Sequence, residues 1–162
     1  MITLAEVGGA QSYVAALLPA LAERYDVVLA AYGEGPLIEE AARAGTRFVP
    51  LQHVRRPINP VRDFAGLVEL IALLRRERPQ ILHASSSKAG VLGRLAAVAT
   101  RVPIRFFTVH GWAFSAYSGL ASRLYRVSDR LIAPLTTVTI CVSETSSPRG
   151  SRQARAAPNA AW

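Results

Sequence analysis

Cysteine is almost missing from this chain: Cys141 is the only one in 162 residues. That excludes an internal disulfide framework and makes a reducing compartment the expected setting. Cys141 lies in an apolar, strand-like run and is expected to be a small buried residue. Acidic residues are few, 11 against 19 Lys and Arg, for a formal charge of +8. With only Glu6 near the first strand and no aspartate after the later ones, the acid cluster of a phospho-receiver is excluded. The three histidines, His53, His83 and His110, have no metal-ligand spacing with one another, with Cys141 or with an acid, so no metal site is expected. Long hydrophobic runs are lacking as well. The longest, Phe64 to Leu74, is interrupted by Glu69 and is too short to span a bilayer. The opening residues do not read as a signal peptide. Also missing are the G-x-G-x-x-G dinucleotide fingerprint, a Walker A loop, a G-x-S-x-G elbow, zinc spacing and an RNA-binding aromatic signature.

What is present is an alternation. Hydrophobic residues make up 51% of the chain, enough for one domain with a sizeable core. Strand-like runs at Ile2–Ala5, Asp26–Tyr32, Arg47–Leu51, Ile81–Ala84, Pro103–Thr108 and Thr136–Val142 alternate with helix-like segments. The helices are expected at Gln11–Arg24, Pro36–Ala44, Pro60–Glu77, Lys88–Thr100 and Tyr117–Ala133. The long Pro60–Glu77 segment is apolar at Val61, Phe64, Leu67, Val68, Ile71 and Leu74, and the Tyr117–Ala133 segment at Leu120, Leu124, Val127 and Leu131. Such βαβ units predict an α/β fold with a Rossmann-like, doubly wound parallel sheet. The first strand is short for a central one and much of it is expected to be missing. After Glu144 the sequence loses its apolar period, so the domain is expected to span 1–144 and 145–162 to be a disordered or non-native tail.

Polar residues stand where strands end, the place where open α/β sheets bind ligands. Glu6-Val7-Gly8-Gly9-Ala10-Gln11 joins the first strand to the first helix. Paired glycines let backbone N–H groups approach an anion closely, and equally they form a plain tight turn. Ser85-Ser86-Ser87-Lys88-Ala89-Gly90 offers hydroxyls, a helix start and the only lysine of the chain. It is either a phosphate-binding turn or a helix cap, with Ser86 or Ser87 capping and Lys88 in solvent. His110, before Gly111-Trp112, is a candidate acid, base or hydrogen-bonding group toward a hydroxylated substrate, or a structural histidine. The basic balance favours anionic partners or simply a solvated surface. Arg55, Arg56 and Arg62 beside the Pro60–Glu77 helix, and Arg123 and Arg126 with Trp112 and Phe114, fit an acidic lipid surface. The rival is an ordinary helix packed on the sheet.

Taken together, Glu6-Val7-Gly8-Gly9-Ala10-Gln11, the stretch His83 to Arg94, Thr108-Val109-His110-Gly111-Trp112-Ala113-Phe114 and the closing Ile140-Cys141-Val142-Ser143-Glu144 resemble bacterial family 4 glycosyltransferases. They look like the acceptor-side, N-terminal half of a GT-B enzyme, over Ile2 to Glu144. The resemblance implies transfer of a sugar from a nucleotide-sugar donor to a sugar or lipid-linked acceptor, with retention at the anomeric carbon and no metal or other cofactor. It implies work in cell-surface polysaccharide or glycolipid synthesis, in the cytoplasm or at the inner membrane face. By the same resemblance His110 is the catalytic histidine, Gly8 and Gly9 close on the donor phosphates, and Ser86, Ser87, Lys88, Gly111 and Trp112 line the acceptor cleft. The sequence departs from the family in lacking the donor-binding domain. The chain is therefore expected to be inactive alone unless a separate partner supplies the other half. Nucleic acid is not an expected partner. The alternative is a non-catalytic Rossmann-like module that binds phosphorylated small molecules or a partner subunit.

Overall fold

The structure, a computed structural model, describes residues 1–6, 8–110, 119, 123, 127 and 130–142. Its elements are α1 (Gly9–Ala22), β1 (Val28–Tyr32), α2 (Pro36–Arg43), β2 (Arg47–Leu51), α3 (Pro60–Glu77), β3 (Ile81–Ser85), α4 (Ser87–Ala99), β4 (Ile104–Val109), a 3-10 turn at Ala133–Leu135 and β5 (Val138–Cys141). The punctuation that sets them is local. Pro36 and Pro60 occupy the first turns of α2 and α3, where a missing N–H costs nothing. Asn59 caps α3 by accepting from the Arg62 N–H. The residues 145–162, Gly111, Trp112 and most of the expected Tyr117–Ala133 helix lie outside the described residues.

All strand pairs are parallel: β1 with β2, and β3 with β4 with β5. Residues 1–5 join the two sheets. Leu4 bridges Tyr32 and Ile2 bridges Ser85, both in parallel sense. The Ile2 N–H donates to the Ala30 carbonyl at 3.0 Å, and the Ser85 N–H to the Met1 carbonyl at 2.9 Å. The expected first strand is thus present as isolated bridges, with the order β2–β1–(1–5)–β3–β4–β5 across the joined sheet. Counted from the N-terminal segment, this is the doubly wound order 3-2-1-4-5-6.

Alternate residues of β1 face opposite layers. Leu29 and Ala31 pack with Ile2, Leu18, Leu37 and Ala41 under α1 and α2. Ala30 packs with Leu51, Leu70, Leu74, Leu82 and Ala96 under α3 and α4. Two helices on each face make the Rossmann-like three-layer sandwich. Gly90 fits α4 onto β4 so closely that a Cβ there would overlap the Phe107 ring, with Cδ2 at 2.8 Å.

The structure settles which faces are buried at three places that the apolar pattern left open or read otherwise. The apolar positions of α3 do not form one buried stripe: Gly66, Leu70, Leu73 and Leu74 are buried, whereas Val61, Phe64 and Val68 are exposed. An 18-residue helix carries apolar residues on more than one face, and periodicity alone does not say which meets the sheet. Val127 and Leu131, which the ordinary-helix alternative would place in a core face, are exposed. Cys141 is only half-buried, since it sits on β5, which pairs with β4 alone among the described strands.

Candidate functional site

The strand order reverses between the N-terminal segment and β3, and the crevice outside their carboxyl ends is where such sheets bind ligands. The sequence sends its polar strings there: Glu6 to Gln11 after the first segment, Ser86 to Lys88 after β3, and His110 after β4.

Gly8 is the N-cap residue of α1 and Gly9 its first residue. The turn is fixed by Ser12, whose N–H and hydroxyl both donate to the Gly8 carbonyl at 2.9 and 3.1 Å. The Gln11 amide donates to the Leu4 carbonyl at 3.0 Å, tying the helix to the first strand. A Cβ on Gly9 would meet nothing within 4 Å, and one on Gly8 would meet only the end of the flexible Gln11 side chain. The fold itself therefore does not require glycine at Gly9. Gly35 differs: at φ 157 it packs so closely on Ala5 that a Cβ would overlap the Ala5 carbonyl. Between α1 and α2 lies a groove of about 280 Å³, lined by Glu6, Gly8, Gln11, Ser12, Leu37 and Glu40 among others.

The start of α4 is built differently from either sequence reading. Ser86 is the N-cap residue, but its hydroxyl makes no cap bond. It pairs instead with the Thr3 hydroxyl at 2.6 Å and accepts from the Thr3 N–H at 3.3 Å. The cap comes from outside the helix: Thr3 Oγ1 accepts from the Ala89 N–H at 3.2 Å. Ser86 holds φ 93 and ψ 153, a backbone region that is essentially reserved for glycine. Lys88 is not in solvent. Its side chain is 9% exposed, and its ammonium donates to Asp63 Oδ1 at 2.7 Å and to the Pro57 carbonyl. Its charge is thus met by a carboxylate of α3. Sequence reasoning missed Thr3 and Asp63, because neither is near Ser86 or Lys88 in the chain.

His110 sits just past β4 with its ring edge-on to Tyr13 of α1, centroids 5.1 Å apart. Burial lowers its pKa below the ordinary histidine value of 6.5, which keeps the ring neutral near pH 7. Its Nε2 is buried and has no hydrogen-bond partner among the described residues. A buried nitrogen that finds no partner among the described residues keeps its hydrogen-bonding capacity at this strand end. Gly111 and Trp112 lie outside the described residues. On the neighbouring strand β3, His83 shares a hydrogen bond at 2.6 Å with the hydroxyl of Thr108, which lies two residues before His110. Burial, helped by the positive N-terminal amine and by His110, lowers its pKa to about 4. Among the described residues no three His, Cys, Asp or Glu side chains converge as a metal site would need.

Comparison with known proteins bears on the family and the fold. The profile of the glycosyl transferase 4-like domain covers residues 8–149. A UDP-Gal:alpha-D-GlcNAc-diphosphoundecaprenol alpha-1,3-galactosyltransferase of Escherichia coli is 36% identical over 124 residues, 74% of this chain and 31% of its own length. The O-antigen biosynthesis glycosyltransferase WbnH of Escherichia coli is 29% identical over 147 residues, 89% of this chain and 40% of its own. The chain spans about a third of the length of the first of these relatives. In structure it resembles Anabaena HepE in complex with UDP, at a TM-score of 0.69 and 14% identity, over 90% of this chain and 37% of that one. Acinetobacter baumannii MurG gives a TM-score of 0.62 and 14% identity, over 91% and 41%. Both likenesses are of fold, and the fold is one half of the GT-B architecture. The chain belongs to the family of glycosyl transferase 4-like domains.

Proposed function

We propose that this chain is the acceptor-side half of a retaining glycosyltransferase that moves a sugar from a nucleotide-sugar donor to a sugar or lipid-linked acceptor in cell-surface polysaccharide or glycolipid synthesis. The observation that carries the reading is the buried, neutral Nε2 of His110 at the crevice end of β4, which has no hydrogen-bond partner among the described residues. A neutral imidazole there can hydrogen-bond a hydroxyl of the transferred sugar, and removal of such a contact costs most as charge develops. The open Gly8–Gly9 turn supports a second role. With no side chain the backbone can approach the donor phosphates, and no neighbour demands the vacancy at Gly9. Ser86 and Ser87 stand at the acceptor side of the crevice, with Gly111 and Trp112 following His110 in sequence. Lys88, already paired with Asp63, serves by holding α3 against the start of α4 and not as a free cation for the acceptor.

In this reading no metal takes part, the work is done in the cytoplasm at the inner membrane face, and turnover requires donor-binding groups from a second domain or chain. Relatives named for O-antigen synthesis and for a diphosphoundecaprenol acceptor support the substrate class. The test is reconstitution. The chain alone should transfer no sugar. Mixed with the separately produced donor domain of a relative, it should glycosylate a water-soluble acceptor analogue. In that mixture His110→Ala should lower kcat about 10-fold to 1000-fold with little change in donor KM. Gly9→Val should abolish transfer while leaving the melting temperature unchanged. Transfer by the chain alone, or full kcat for His110→Ala, would overturn the assignment.

A further inference from the structure

Helix α3 turns its chemistry inside out. Its three acidic side chains are all committed within the fold. Asp63 holds Lys88 at 2.7 Å and the Asn59 N–H at 3.2 Å. Glu69 accepts from the N–H groups of Gln52 and His53 at 2.7 and 3.0 Å. Glu77 pairs with Arg47 and Arg76. Among the described residues none of these carboxylates pairs with Arg56, Arg62 or Arg75. The outward positions carry Val61, Phe64 and Val68, exposed at 82%, 69% and 51%, with Ile58 just before the helix and Arg75 near its end. The spacing i, i+3, i+7 puts the three on one stripe of a helix about 27 Å long.

We infer that this outer face of α3 docks on an anionic lipid bilayer, with the helix lying in the plane of the interface. The inference rests on the membrane-surface part of the proposed function and names the surface that does it. The chemistry favours a bilayer over another protein surface of mixed charge. An apolar stripe bordered by guanidinium groups that pair with no carboxylate among the described residues, on a helix whose own acids are turned to partners within the fold, is what an acidic leaflet attracts. Among the described residues no helix is long and apolar enough to cross a membrane, so the contact is with the surface. The Lys88 ammonium also ties the loop at Pro57 and the first turn of α3 to the first turn of α4. The docking face and the acceptor side of the crevice are therefore held together by one buried side chain, within reach of an acceptor carried in the leaflet.

Sedimentation of the full chain with vesicles tests this. Vesicles of phosphatidylglycerol and phosphatidylethanolamine should bind it, and phosphatidylcholine vesicles should not. Binding should weaken as salt rises from about 0.01 to 0.15 M, where the screening length falls from about 30 to 8 Å. Val61→Ser with Phe64→Ser should weaken partitioning at least about 10-fold, and Arg56→Ser and Arg75→Ser about 5-fold each. These side chains are exposed, so melting temperatures should hold. Replacing Arg149, Arg152 and Arg155 with serine should leave most of the binding. The inference is overturned by equal binding to both vesicle types, by none to either, by loss with the Arg149–Arg155 variant alone, or by a self-associated dimer that the α3 substitutions dissolve. Transfer to a water-soluble acceptor needs no vesicle, so failure here and failure of the proposed function are separate results.

Discussion

Thr3→Val isolates the joint on which the crevice is built. The substitution keeps the volume and the β-branch of a side chain that is 5% exposed, so it opens no cavity. It removes the hydroxyl that accepts from the Ala89 N–H and pairs with the Ser86 hydroxyl. Loss of an N-cap costs about 1 kcal/mol. Stranding a partly buried hydroxyl adds about 1–2 kcal/mol, at the lower end because Ser86 retains some access to water. The total is about 2–3 kcal/mol, or about 6–9 °C in melting temperature at about 3 °C per kcal/mol for a chain of this size. Thr3→Ser keeps the oxygen and loses one methyl, about 1 kcal/mol and about 3 °C. Ser86→Gly gives up the hydroxyl pair but releases a backbone conformation that costs about 1–3 kcal/mol, so its melting temperature should equal or exceed that of the parent. Thermal unfolding by circular dichroism measures all three, and hydrogen exchange at the Ala89 amide should accelerate in Thr3→Val only. If Thr3→Val melts no lower than Thr3→Ser, or Ser86→Gly is as damaging as Thr3→Val, the cap in trans does not hold α4.

Two further outcomes follow from burial. Because the folded pKa of His83 is about 4, against 6.5 for an ordinary histidine, the unfolded chain takes up a proton that the folded one refuses. Stability from this group is complete above pH 6.5 and declines as pH falls from 6.5 toward 4; an NMR titration that finds the His83 ring protonating near 6.5 would refute it. Gly90→Ala should lower the urea midpoint by the equivalent of about 1–3 kcal/mol through overlap with Phe107, whereas Gly9→Ala should leave it unchanged. Equal effects at the two glycines would contradict the α4–β4 packing.

The sequence alone determined the alternation of strands and helices, the boundaries of β2 and α3, and the strings that end up at the crevice. These are local matters. A proline in the first turn, an asparagine cap and a β-branched run act within a few residues, so they are legible without the fold. The Gly8–Gly9 turn and His110 stand out as candidates in the same way, from their position after strand-like runs. Tertiary structure decided what those residues touch. That Thr3 and not Ser86 caps α4, that Lys88 is spent on Asp63, and that Val61, Phe64 and Val68 face outward all depend on pairs 25 or more residues apart or on which helix face meets the sheet. A hydroxyl or an ammonium reads the same in sequence whether it meets water or a buried partner. Only the packing of the N-terminal segment between β1 and β3 brings Thr3 to the head of α4 and turns a short run of residues into the centre of the sheet.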